Sequence, residues 1–331
     1  MPNHIRAALS VVLSVFTSLV VVGQVTPEIG VTQSPRNPQQ IATLHWYDAN
    51  LTTTFTVGRG PMGMAFDGTN LWIANFFGNN VTKLEPSTGK VLGKFAAGNA
   101  PWAVCFDGAN VWVANILGDN VTKLRASDGK VLGTFKLPFG ATPFAIAFDG
   151  ANIWVVNNGF GQPNGSVSKL RATDGELLGT FQLGRSPTGI AFDGSSLWIA
   201  IAGAGTVAKL RPSDGQMLRT IKVGSCYGVA FDGANIWLTA NRTVIKVRAA
   251  TSSVLGTFPA GREPHGLAFD GANIWVADSF NSVTKLRASD GKVLATFDVK
   301  DDPNASLEGV AFDGSNVWVS HGGPSQLVSK F

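Results

Sequence analysis

The chain holds four histidines, and two of them, His265 and His321, stand in short stretches that also carry acids. Around the first the sequence runs R-E-P-H-G-L-A-F-D-G-A-N-I-W-V-A-D, with Glu263 just before the imidazole and Asp278 at the end. Glu308 precedes His321 by the same interval that separates His265 from Asp278. An imidazole titrates near neutral pH, and a carboxylate beside it fixes its tautomer and steadies its charged form. Whether these side chains meet depends on the elements that carry them.

Those elements repeat. Phe-Asp-Gly occurs at Phe66, Phe106, Phe148, Phe192, Phe231, Phe269 and Phe312, at intervals of 40, 42, 44, 39, 38 and 43 residues. Six residues after each Phe comes a tryptophan: Trp72, Trp112, Trp154, Trp198, Trp237, Trp275 and Trp318. Each unit reads as four short strands. In the second, W-A-V-C-F leads through D-G-A-N into V-W-V-A-N, then N-V-T-K-L-R turns at A-S-D-G-K into V-L-G-T-F-K-L. Asp-Gly between apolar runs marks hairpin turns, because glycine tolerates positive φ. A period near 40 with four strands per unit predicts an all-β fold, a seven-bladed β-propeller of four-stranded antiparallel blades. The recurrent aspartates are then turn residues. I-A-T-L-H-W-Y-D-A-N-L-T-T-T-F-T-V at 41–57 aligns with the last two strands of a blade, whereas the chain ends on a third strand, Q-L-V-S-K-F. Leu51–Val57 is therefore expected to close the ring as the outer strand of blade seven. The candidate strand Ile41–Trp46 has no evident seat.

In a propeller the innermost strand of each blade lines the channel. The residue between Pro and Gly in P-x-G marks where that strand begins, at the channel mouth. Around the ring this residue, or its equivalent, reads Met62, Trp102, Phe144, Thr188, Tyr227, His265 and Glu308. A purely structural position would repeat; this one never does. Centring each hairpin on its Asp-Gly turn places Asn75, Asn115, Asn157, Ile201, Ala240, Asp278 and His321 opposite these seven. On that register His265 faces Asp278 and Glu308 faces His321, with Cβ atoms about 4.5–5.5 Å apart. Arg59, Arg185 and Arg262 hold equivalent loop positions just before Pro. A ligand site is expected at the mouth, with Trp102, Phe144 and Tyr227 on one arc and the charged residues of blades six and seven on another.

The pattern W-V-A-N, V-T-K-L, V-L-G-T-F and G-x-x-P-x-G-I-A-F over residues 41–331 resembles the YVTN-type propeller repeat of bacterial exported proteins. That resemblance implies the fold and leaves the activity open. E-P-H-G-L-A-F is similar, more narrowly, to the E-P-H-G motif of the streptogramin (virginiamycin B) lyases. These are seven-bladed propellers that open a cyclic depsipeptide by elimination with Mg²⁺. This second resemblance implies His265 as general base or acid, Glu263 and Asp278 as metal-binding carboxylates, and Mg²⁺ as cofactor. Tyr227 departs from it, standing where that family has a further histidine. The W-V-A-N strands likewise replace its W-F-T-E.

Composition bounds the remaining readings. At 44% hydrophobic and 15% charged, with 39 glycines, the chain is a folded one. Ala7–Val22 is free of charge behind a single arginine, and V-V-G ends at Gly23. This pattern predicts a signal peptide over 1–23, a polar linker over 24–40 and the propeller over 41–331, in a secreted or periplasmic protein without a stable membrane span after cleavage. Cys105 and Cys226 fall at unrelated blade positions, which predicts two free or buried thiols rather than a disulfide. Lys123/Arg125, Lys169/Arg171, Lys209/Arg211 and Lys285/Arg287 are spread one pair per blade. They are read as solvated outer strands, and with a net charge of +4 no nucleic-acid partner is expected. The expectation is a monomer that binds a small molecule or peptide at the mouth. A Mg²⁺-assisted carbon–oxygen lyase and a surface interaction protein are the alternatives.

Overall fold

The computed structural model describes residues 53–299, 302 and 306–331. Leader, linker and Ile41–Trp46 lie outside them. The strands form seven four-stranded antiparallel sheets, six of them continuous in sequence from Pro61–Ala96 to Pro264–Asp298. The seventh is shared. Leu307–Phe312, Val317–His321 and Leu327–Lys330 supply its inner three strands, and Thr54–Thr56 pairs with Leu327–Lys330 as the outer one. The protein is a seven-bladed β-propeller whose first and last described strands meet in one blade. No helix of the described residues is long and apolar enough to cross a membrane.

One lock, made seven times, explains the Phe-Asp-Gly…Trp repeat. In each turn Asp Oδ1 accepts backbone N–H bonds from the residues two and three positions on, as at Asp107 (2.9 and 2.6 Å). Oδ2 accepts the indole N–H of the Trp on the following strand. That bond is 2.7 Å in blade two and 2.7–2.8 Å in the others. Six of the seven indoles are fully buried between blades, so an unpaired N–H there would be costly. Burial pushes the carboxyls of Asp107, Asp193, Asp232, Asp270 and Asp313 up. The indole and backbone donors outweigh it and hold them below the usual carboxylate range.

Two further devices join neighbouring blades. The Phe of one outer strand packs over the glycine of the next blade's third turn, where a Cβ would collide with the ring, as for Phe95 at Gly129 (φ +75). Phe55 seats at Gly89 in the same way and lies 5.3 Å from Trp318, so the ring closes with the joint used elsewhere. The third-strand lysines form the other tie and correct the expectation of solvated strands. Lys83, Lys123 and Lys246 are buried. Each lies over its own blade's Trp at 4.9–5.2 Å and donates to carbonyls of the next blade, as Lys123 does to Ala172 and Thr173. Their alternation put the arginines outside, as read, but the lysines point inward. Arg125, Arg171, Arg211 and Arg287 instead make exposed pairs with aspartates three residues on. Both cysteines are free and buried, and burial pushes the Cys226 thiol up to about 11.

Candidate functional site at the channel mouth

Each inner strand contributes three consecutive residues to a central cavity of about 370 Å³. Met62, Trp102, Phe144, Thr188, Tyr227, His265 and Glu308 all line it. The position that never repeats is thus one of the three on each strand that meet the cavity. A larger hollow of about 740 Å³ lies outside blades four to six. It is lined by residues such as Asp193, Lys209 and Lys246, which already serve as turn locks and blade ties.

The channel mouth has two unlike arcs. On blades one to three Phe77, Phe76, Trp102 and Phe144 form a continuous aromatic row, with successive centroids 4.9, 5.8 and 4.8 Å apart. Arg59 caps the row over Phe77 at 5.5 Å. On blades five to seven stand Tyr227, His265 and Glu308. The Tyr227 and His265 rings are 5.5 Å apart, and His265 Nδ1 lies 2.8 Å from Glu308 Oε2. Thr188, between the arcs, is buried and donates its hydroxyl to the carbonyls of Cys226 and Tyr227, so its role there is structural.

The imidazole–acid pairing differs from the hairpin arithmetic. Every inner hairpin carries a β-bulge near its mouth. In blade six Asp278 pairs with Pro264 rather than His265, and in blade seven His321 pairs with Leu307 rather than Glu308. The extra residue turns the mouth side chain out of its own sheet toward the channel. His265 therefore meets an acid of the next blade, Glu308, and not Asp278. Asp278 and His321 are 1% and 0% exposed and lie behind the cavity wall. Asp278 accepts backbone N–H bonds from Arg262, Glu263 (2.8 Å) and Phe280 (2.7 Å), and His321 Nε2 bonds Ser329 Oγ at 2.7 Å. The same position in blade two is Asn115, whose Oδ1 accepts the Gly98 N–H. Asp278 continues a structural job begun by asparagine.

Two serines missed in the sequence complete the polar arc. Ser306 donates to Glu308 Oε1 at 2.7 Å, and Ser279 Oγ lies 3.3 Å from His265 Nε2. Glu263 Oε1 stands 3.9 Å from the same nitrogen and is half exposed. A carboxylate only accepts, so His265 Nδ1 carries the proton toward Glu308. The neutral ring thus presents a lone pair at Nε2. Burial lowers the affinity of the imidazole for a second proton. The Glu308 hydrogen bond and charge, with Glu263 and Asp278, outweigh it, so its pKa lies above the ordinary histidine value. Arg262 lies over Phe280, the residue after Ser279, at 4.2 Å, and the backbone carbonyl of Arg185 accepts from Gly203.

These donors do not fit the divalent ion implied by the E-P-H-G resemblance. Both Asp278 oxygens face backbone N–H groups. Among the described residues no cluster of three or more His, Cys, Asp or Glu side chains is placed to hold a metal.

The inner strands approach most closely where the mouth residue is followed by glycine. A Cβ on Gly228 or Gly266 would strike the carbonyl of the next blade's mouth residue, His265 or Glu308. In blade five Thr239 replaces the small apolar residue of most siblings. Its hydroxyl accepts the Gly228 N–H and donates to the His265 carbonyl, both at 2.7 Å. Ser320 does the same between Gly309 and Met62.

No protein-family model matches the chain, and no curated protein matches it. Among solved structures the chain is similar to a streptogramin B lyase, at TM-score 0.71 and 17% identity over 84% of this chain and 96% of that one. It is also similar to hydrazine synthase of Kuenenia stuttgartiensis, at TM-score 0.68 and 18% identity with the same coverage. At these identities the likeness is one of fold.

Proposed function

We propose that the protein binds an amphipathic small molecule or peptide at the channel mouth. Its apolar part would lie against Phe76, Trp102 and Phe144, and its polar part against His265 and Glu263. The observation that carries this reading is the convergence of seven unlike side chains, from one position of an otherwise uniform repeat, on one cavity. Apolar walls with a few converging polar groups are the usual design of small-molecule sites. The charge-free run Ala7–Val22 supports placing the protein outside the cytoplasm. Trp102 serves as the reporter. A ligand found by screening should alter tryptophan emission in the wild type. It should bind at least about tenfold more weakly to Trp102→Ala and to His265→Ala, a loss of about 1.4 kcal/mol each. Ligands that bind both variants as tightly as wild type would place binding elsewhere.

One alternative has specific support, a carbon–oxygen lyase in which His265, oriented by Glu308, removes a proton. The E-P-H-G stretch and the fold shared with a streptogramin B lyase favour it. Because Asp278 is committed to backbone donors, this reading rests on His265 and not on a metal. Incubation with a cyclic depsipeptide, with and without added Mg²⁺, tests it. Ring opening lost in His265→Ala supports it, and no turnover by the wild type removes it.

A further inference from the structure

Ser279, His265 and Glu308 are linked in one hydrogen-bonded line. The hydroxyl of Ser279 is 3.3 Å from His265 Nε2, and the opposite nitrogen of that ring is 2.8 Å from Glu308 Oε2. A fourth group, Ser306, holds the other oxygen of Glu308 at 2.7 Å. This is the nucleophile–base–orienting acid arrangement of acyl transfer, recognised by geometry and not by order in the chain. The geometry points to Ser279 as a nucleophile and to the mouth as an esterase site for acyl esters with an apolar acyl or alcohol part. The inference rests on the reading of the mouth as a ligand site, since the ester must lie against the aromatic arc.

The groups fit each step. Ser279 Oγ adds to the ester carbonyl carbon while its proton passes to His265 Nε2. The bond from that carbon to the alcohol oxygen breaks, and the departing oxygen takes the proton back from Nε2. Water then adds to the acyl-serine, again giving its proton to Nε2. Collapse returns that proton to Ser279 Oγ and releases the carboxylic acid. Glu308 stays ionised throughout, holding Nδ1–H and steadying the imidazolium. The backbone amides at Ser279, Phe280 and Asn281 are committed to Glu263 O, Asp278 Oδ1 and Asp278 O. In this proposal the cation assigned to the developing oxyanion is Arg262, whose guanidinium lies 4.2 Å from the ring centroid of Phe280, the residue after Ser279.

The groups facing His265 are Glu308 from blade seven, Glu263 on its own segment, Asp278 and Ser279 from the next strand and loop, and Tyr227 from blade five. The base works only when neutral. Reaction should therefore rise with pH through a value above that of an ordinary histidine, and Glu308→Gln should move the profile to lower pH.

The test uses the full chain with a fluorophosphonate probe and p-nitrophenyl butyrate. Peptide mass mapping should find the phosphonyl adduct on Ser279. Labelling and hydrolysis should vanish in Ser279→Ala and slow about 100-fold or more in His265→Ala, the usual worth of a positioned base. No adduct on Ser279 in folded wild type, or a labelling rate unchanged in His265→Ala, would overturn the inference. Ligand binding by the wild type is followed separately, through its tryptophan emission. Ligand binding without labelling would reject the esterase and leave the binding site standing. Loss of both would sink the two together.

Discussion

Each inner hairpin has two ends, and they obey different rules. At the turn end the sequence says the same thing seven times, and the structure answers with seven nearly identical Asp–Trp bonds of 2.7–2.8 Å. At the mouth end, about five residues away on the same two strands, no two blades agree and every side chain meets the cavity. The turn end is over-determined because a buried indole N–H and two backbone donors need the same carboxylate. The mouth end is released from that constraint by the bulge, which takes one residue out of the ladder. The repeated and the variable positions are thus separated along a strand pair only six residues long.

The comparison breaks most sharply if the turn end is cut. Trp154→Ala removes a fully buried indole packed on Phe181 and should cost about 3–5 kcal/mol in denaturant unfolding. Asp232→Ala leaves the Trp237 indole and two backbone N–H groups without their acceptor, for about 1–3 kcal/mol. Its pH signature is specific. The native carboxyl is held below the unfolded value, so its contribution is present above about pH 4 and fades as pH falls through the lowered native value. Wild type and Asp232→Ala should therefore converge in stability only in strong acid. Lys123→Met tests the blade ties, since two carbonyls of the next blade lose a charged donor. A loss of about 1–3 kcal/mol is expected in the same unfolding experiment, and no loss would return this lysine to the solvated role first assigned to it.

At the mouth the expected effects on stability are smaller and those on binding larger. Tyr227→Ala, at a ring 37% exposed, should change stability by no more than about 0.5 kcal/mol. A larger cost would mean that the mouth, too, is architecture. Glu308→Gln sharpens the polar arc. The His265 pKa is raised in the folded protein, so the pair stabilises below the unfolded histidine value and that benefit is lost as pH rises through the raised one. Glu308→Gln should bring the His265 titration, followed by proton NMR of the ring, back toward or below the ordinary value. An unmoved titration would show that Glu308 is not its partner.

The period, the strand runs and the missing outer strand were legible because each reflects a need repeated in every blade. Phe55 could be assigned to blade seven from sequence since it matches the other outer-strand phenylalanines, and it packs on Trp318 as they pack on their tryptophans. The candidate mouth residues were legible for the opposite reason, as a failure to repeat. The partners were not. Counting back from the Asp-Gly turn gives the right register for Phe269, Ala268 and Leu267 and fails beyond them, where the bulge intervenes. A bulge within P-x-G leaves no signature that simple alternation would reveal. Ser279 and Ser306 were passed over because serine in a loop is ordinary turn chemistry unless something is known to face it.

By itself the sequence determined the number of blades, the turn locks, the way the ring closes and the seven positions that would differ. These follow from local spacing and from identical demands made again and again on identical residues. Only the tertiary structure decided that His265 belongs with Glu308 of the next blade, that Asp278 is committed to backbone amides, and that the lysines tie blades together. Each of those contacts spans two blades or turns on a bulge. Their geometry depends on how neighbouring sheets are set around the axis, which no pattern along a single strand records.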